Sequence, residues 1–206
     1  MHRGLDLLRR RLLRAAVAAL CAPAATAQVA PASVEVEGTR FRSAIELGGE
    51  TLVLNGVGVR TRLVFKVYAA GLYLPARATD AEAILRQPGS KRVALRFLRE
   101  VDADLFINSL LAGFSANLPA AEVQRLQPRT DALVATLRSI GSVQRGEWVD
   151  FEYTPRFGTR LILNGATHGE HIAGEDFFSA VLRVWLGTAP AYEPLKRGML
   201  GLTGSG

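Results

Sequence analysis

Cysteine is nearly absent: Cys21 is alone in 206 residues. That excludes a disulfide framework and a cysteine-rich metal centre. Histidine is scarce too, with only His2, His168 and His171. Any chemistry therefore leans on Arg, Tyr, Asp, Glu and backbone groups. Aromatic residues make up 7% of the chain, charged residues 21% and hydrophobic residues 49%. Such a balance excludes a disordered chain, a collagen-like repeat and a transmembrane bundle. No internal repeat and no domain-separating linker is visible, and the length suits one globular domain.

The formal net charge of +6 is concentrated at one end. The first 27 residues hold Arg3, Arg9, Arg10, Arg11 and Arg14 against Asp6 alone. The remainder is nearly balanced, so basicity is no argument for nucleic-acid binding. Residues 1–27 read as an export signal. A positive start runs to Arg14, an apolar stretch spans Ala15 to Ala22, Pro23 breaks it, and Ala25-Thr26-Ala27 supplies small residues for cleavage. The expected mature chain starts at Gln28, is a single domain over 28–206, and is periplasmic. The apolar stretch is too short for a stable membrane anchor, and no later segment reads as one. Arg9-Arg10-Arg11 leaves general and twin-arginine export both open. Cys21 follows Leu20, which is the wrong context for lipid attachment.

Beyond Gln28 the order is strands, helices, strands, then a helix, which predicts an α+β fold. Val34–Gly38 and Ile45–Gly49 read as short strands. Thr51–Gly56 reads as a strand entering an Asn-Gly turn. Leu63–Leu74 reads as one long strand bent near Ala70-Gly71. Thr79 or Asp80 can cap a short helix ending at Pro88-Gly89. From Asp102, Leu105, Phe106, Leu110, Phe114 and Leu118 recur at a helical period. A second helical stretch starts near Pro119 and should kink or divide at Pro128. Period two returns over Trp148–Tyr153, and Arg160–Gly165 ends in another Asn-Gly. Glu175–Leu186 is helical, with Phe178, Val181, Leu182 and Trp185 on one face and Gly187 as a cap.

Three stretches carry a resemblance: Leu54-Asn55-Gly56-Val57-Gly58-Val59-Arg60, Phe65 through Pro75, and Gly174-Glu175-Asp176-Phe177-Phe178 through Gly187. In order and spacing the chain resembles the chalcone isomerase superfamily, in particular its bacterial exported chalcone isomerase-like branch, over about residues 34 to 201. The resemblance implies an open-faced β-sandwich: an antiparallel sheet covered by a helical layer, with a ligand cleft between them. The superfamily includes enzymes that close a chalcone to a flavanone, fatty-acid binders and non-catalytic helpers, so fold alone does not assign function.

Carried over residue by residue, the family's Arg after Gly-x-Gly-x falls on Arg60. In the enzymes it polarises the substrate, and in the binders it holds a carboxylate together with a Tyr. Tyr68 stands where the enzymes have a Thr, which is similar to the fatty-acid-binding version. Phe106 falls where the enzymes place a Tyr hydroxyl, and Val184, beside Trp185, where they place a Thr. Several hydrogen-bonding groups of the isomerase site are therefore missing.

Arg60 and Tyr68 form the sharpest pair. A guanidinium offers a planar fork to a carboxylate or enolate, and a Tyr hydroxyl adds a donor. Phe106, Phe114 and Trp185 are candidate lining residues, each equally suited to plain core packing. Lys66, two residues from Tyr68 on a strand, is expected on the same face; Arg62 is a further candidate cation. His168-Gly169-Glu170-His171 lacks a helix and a third ligand, so no metal is expected, and no cofactor motif is present.

Three readings stay open. The first is an exported binding protein for a small amphipathic or aromatic acid, such as a fatty acid, held by Arg60 and Tyr68. The second is an isomerase or lyase acting on an enone, with Arg60 and Tyr68 as the catalytic candidates. The third is an envelope accessory protein that meets a protein partner.

Overall fold

The computed structural model describes residues 32–202. The expected leader, residues 1–27, lies outside them. The described chain runs β1 (Ser33–Val36), β2 (Thr39–Arg42), β3 (Ala44–Leu47), β4 (Glu50–Arg62), β5 (Phe65–Leu74), α1 (Ala81–Arg86), β6 (Lys91–Phe97), β7 (Val101–Asp102), α2 (Ala103–Asn117), α3 (Ala120–Ile140), β8 (Ser142–Val143), β9 (Trp148–Thr154), β10 (Gly158–Leu163), β11 (Ala166–Ile172), α4 (Glu175–Leu186) and α5 (Glu193–Met199).

Seven strands form one sheet in the order β11-β10-β9-β6-β5-β4-β3, with every neighbouring pair antiparallel. The sheet is curled into a half-barrel and packed against helices, which is the expected α+β class. Alternation along β5 divides two cores. Tyr68, Ala70, Leu72 and Leu74 join Phe97, Phe151, Phe178 and Trp185 on the helical side. Ala69 and Tyr73 join Phe41, Leu54 and Ala94 on the other, where the β1–β2 hairpin lies across the sheet. Side chains that point to alternate faces thus serve two separate apolar layers.

Side-chain caps begin α1 and α2. Asp80 accepts from the Ala83 amide at 2.7 Å, and Asp102 accepts from the Asp104 amide at 2.9 Å. Expectation and structure part at four places. Asn55-Gly56 is not a turn: β4 runs straight through it, with a bulge between Leu54 and Gly56. There Asn55 leaves the ladder, donates to the Met199 carbonyl at 2.8 Å and accepts from the Ala78 amide at 2.8 Å. Leu63-Val64 is a hairpin loop rather than the start of the long strand. Gly71 marks no bend; a Cβ there would sit 2.6 Å from the Phe41 ring, so it is a contact point between sheet and hairpin. Finally, α3 is undivided across Pro128. Pro128 is exposed, so the carbonyl deprived of its donor sits on the solvent side.

The short helix α5, which the apolar pattern does not announce, docks on β4 at the Gly-Val-Gly stretch. A Cβ on Gly56 would strike the Gly198 carbonyl, and one on Gly58 would lie 2.9 Å from the Leu195 carbonyl oxygen. Those glycines let a helix backbone lie against the strand two residues before Arg60.

Candidate functional site

Arg60 on β4 and Tyr68 on β5 are direct cross-strand partners. The next pair is Thr61 with Lys66, so Val67 is an extra residue on β5. This bulge breaks the alternation. Val67 and Tyr68 both line a cleft of about 360 Å³ between the sheet and α2. Lys66 turns away and closes an ion pair with Glu37 of the β1–β2 turn, Nζ to Oε2 at 2.7 Å. The expectation that Lys66 shares a face with Tyr68 fails for that reason.

Inside the cleft, Arg60 Nη2 donates to Ser109 Oγ on α2 at 3.2 Å. Arg60 Nη1 is buried without a hydrogen-bond partner. Tyr68 is buried, and its hydroxyl accepts from Trp185 Nε1 at 3.0 Å. Burial pushes the Tyr68 phenol pKa up; the Arg60 charge, the Trp185 hydrogen bond and the closeness of the Arg60 N–H groups pull the other way and do not overcome it. The phenol therefore stays protonated across the ordinary pH range, with its own O–H free to donate.

Beneath this polar end lies a run of rings. Tyr68 and Phe97 have centroids 5.6 Å apart, Phe97 and Phe106 6.0 Å, Phe106 and Phe151 6.1 Å, and Phe151 and Trp185 5.6 Å. The rim is built by Arg62, Leu63 and Phe65 at the tip of the β4–β5 hairpin, Arg99 and Glu100 after β6, and Leu105 from the first turn of α2.

The structure thus brings Arg60, Tyr68 and Phe106 into one cleft. It does not bring Lys66, Phe114 or Trp185 to its surface. Phe114 is buried edge-on against Phe177 at 6.4 Å, and Trp185 stands behind Tyr68. Ser109, Arg99 and Leu105 line the cleft although the sequence reading singled out none of them as site residues. Helical spacing places Leu105, Phe106 and Ser109 on one face, a signal sufficient for Ser109. Nothing local marks Arg99. His168 and His171 lie on β11. Among the described residues no group of three or more His, Cys, Asp or Glu is placed to hold a metal ion, and no helix is long and apolar enough to cross a membrane.

A curled antiparallel sheet, helices on its inner face and an Arg–Tyr-headed cleft under α2 define a class of sheet–helix cleft proteins. The chain belongs to the chalcone isomerase-like family, whose model matches residues 33–201. Among solved structures it is similar to the fatty-acid binding protein of Arabidopsis thaliana, at 15% identity and TM-score 0.62, with 82% of this chain and 96% of that chain covered. At that identity the likeness is one of fold. No curated protein matches the sequence.

Proposed function

We propose that this protein is an exported binding protein for a small amphipathic carboxylate such as a fatty acid, with the head group at Arg60 and Tyr68 and the tail along Val67, Phe106 and Leu105. One observation carries the reading: Arg60 Nη1 is buried and unpartnered at the polar end of an otherwise apolar cleft. A buried guanidinium N–H without an acceptor is costly, and a carboxylate would satisfy it. The Tyr68 hydroxyl, its acceptor side already used by Trp185, has a proton to give the same anion. The cleft volume of about 360 Å³ falls at the small end of ligand sites, which run roughly 300–1,000 Å³.

Binding is favoured over enone turnover because apolar Phe106 lines the cleft and Val184 is buried in the core, at the positions where the family resemblance places hydroxyl groups of the isomerase site. The fold neighbour described as a fatty-acid binding protein supports the ligand class. The Arg-rich start, apolar stretch and Ala25-Thr26-Ala27 support export to a periplasm, as in the bacterial exported branch of the family.

Native mass spectrometry of the chain recovered from an exporting host tests both parts. The expected species begins at Gln28 and keeps an adduct of fatty-acid mass that Arg60→Ala loses. An adduct unchanged in Arg60→Ala would sink the head-group assignment, and an intact leader on the recovered chain would sink export.

A further inference from the structure

Four of the exposed large hydrophobic residues meet at the mouth of the cleft: Leu63 at 89% exposure, Val64 at 83%, Phe65 at 54% and Leu105 at 60%. Packing does not account for them. Turn chemistry does not either. Leu63 and Val64 fill the two-residue loop between the paired Arg62 and Phe65, and Leu63 has φ +54°. Gly, Asn or Asp ordinarily occupies such a position, and a branched apolar side chain there is strained. Cations flank the patch. Arg62 is exposed, and the Arg99 guanidinium lies 4.8 Å from the centroid of the Phe65 ring. Glu100 lies on the cleft rim and Asp102 caps α2 beside Leu105, while Asp104 is paired with Arg138 and Lys66 with Glu37.

We propose that this tip is a membrane-docking element. Leu63, Val64, Phe65 and Leu105 enter the outer acyl region of an anionic bilayer, while Arg62 and Arg99 stay at the level of the head groups. Apolar side chains with an aromatic, rimmed by Arg whose stems follow the apolar surface, match the chemistry of the bilayer interface, and the guanidinium groups of Arg62 and Arg99 at the tip, unpaired among the described residues, complement anionic lipid. A second copy of the chain is a poorer occupant: three tip residues and Leu105 fall well short of the roughly 800 Å² per partner of a standard interface. Leu63, Phe65 and Leu105 also line the cleft, so docking opens the cleft directly onto the acyl layer. An acid then moves between bilayer and Arg60 without crossing water; this last step alone rests on the carboxylate reading of the cleft.

The test uses the full chain with vesicles of phosphatidylcholine plus phosphatidylglycerol, and of phosphatidylcholine alone. Of the two loop residues only Leu63 has positive φ, so Leu63→Gly combined with Val64→Asn gives the loop a residue pair suited to it, and folding is preserved by design. Its partitioning to the anionic vesicles should fall roughly tenfold or more, and the parent should bind the neutral vesicles more weakly. In Val64→Trp the introduced indole should shift to the blue and be quenched by brominated lipid, which reports the tip directly whatever the N-terminus does. Equal partitioning of parent and double variant, with no quenching in Val64→Trp, would overturn the proposal. So would sedimentation velocity showing that the double variant loses self-association instead. Arg60→Ala should keep its vesicle partitioning while losing fatty acid, so the docking and the cleft readings fail separately.

Discussion

Trp185 and Tyr68, 117 positions apart in the chain, share one buried hydrogen bond, indole N–H to phenol oxygen at 3.0 Å. It ties α4 to β5 beneath the cleft. It also fixes which way the phenol works: with its oxygen accepting from the indole, the Tyr68 proton is left for the cleft. Trp185 thereby acts on the site through Tyr68, without reaching the cleft surface itself.

Removing either partner should have similar effects on stability and unequal effects on binding. Tyr68→Phe strands the Trp185 N–H in the core and should cost about 1–3 kcal/mol, the penalty of an unsatisfied buried donor. Trp185→Phe leaves the Tyr68 hydroxyl able to rotate, but it also loses ring volume between α4 and Phe151 of the sheet, for about 1–3 kcal/mol. Urea unfolding of both single variants and the double variant gives the coupling, expected at about 0.5–3 kcal/mol. Strict additivity would mean that the bond is energetically silent. Fatty-acid affinity should drop more in Tyr68→Phe than in Trp185→Phe, because only the first removes a donor from the cleft.

Arg60 should behave in the opposite way to a structural residue. Its Nη1 is unsatisfied and its hydrogen bond to Ser109 is long at 3.2 Å. Arg60→Ala should therefore leave urea stability within about 1 kcal/mol of the parent, while fatty-acid affinity measured by calorimetry falls tenfold or more, about 1.4 kcal/mol by the usual conversion. Arg60→Lys should recover only part of the affinity, since an ammonium cannot offer the planar fork. Full recovery with Lys would mean that charge alone matters.

How much of this was legible in the sequence follows from how local each signal is. The capped starts of α1 and α2 and the apolar face of α4 were readable, because Asp80, Asp102 and the Phe178–Trp185 spacing act within a turn or two. The Arg60–Tyr68 pairing was legible only through the family pattern. Lys66 misled because a one-residue bulge at Val67 reverses the face of a strand, and nothing in the residues Lys66-Val67-Tyr68 encodes that bulge. Asn55-Gly56 has the composition of a turn, yet distant groups, the Met199 carbonyl and the Ala78 amide, hold it inside a strand. Phe114 and Phe106 share a helix and a residue type; only the tertiary packing of Phe114 on Phe177 separates a core ring from a cleft ring.

The Gly-Val-Gly stretch should be sensitive through α5. A Cβ on Gly58 meets the Leu195 carbonyl oxygen at 2.9 Å and its Cδ1 at 3.0 Å, and a backbone carbonyl cannot swing aside as a side-chain end can. Gly58→Ala should lift α5 off β4 at a cost of about 1–3 kcal/mol. Amide exchange across Leu195–Met199 should accelerate ahead of the sheet amides. Exchange unchanged in α5 would show that the helix accommodates the methyl by sliding.

Asp150 offers a pH test on the opposite face of the sheet from the cleft. Burial raises its carboxyl from 3.8 to about 6; Arg92, 3.7 Å away, opposes the rise and Glu152 adds to it. One carboxyl oxygen, Oδ1, is buried with no partner. A raised pKa means that the folded state holds its proton more tightly than the unfolded chain. This contribution is therefore intact below about pH 4 and is lost as pH rises through about 6. At roughly 1.4 kcal/mol per pKa unit the loss is on the order of 2–3 kcal/mol. Asp150→Asn cannot ionise, so it should be more stable than the parent at pH 7.5 and close to it at pH 4, with other titrating groups cancelling in the comparison. Urea midpoints at the two pH values decide the matter. If Asn is destabilising by the same amount at both, the Arg92 ion pair outweighs burial and Asp150 is a net stabiliser of the sheet.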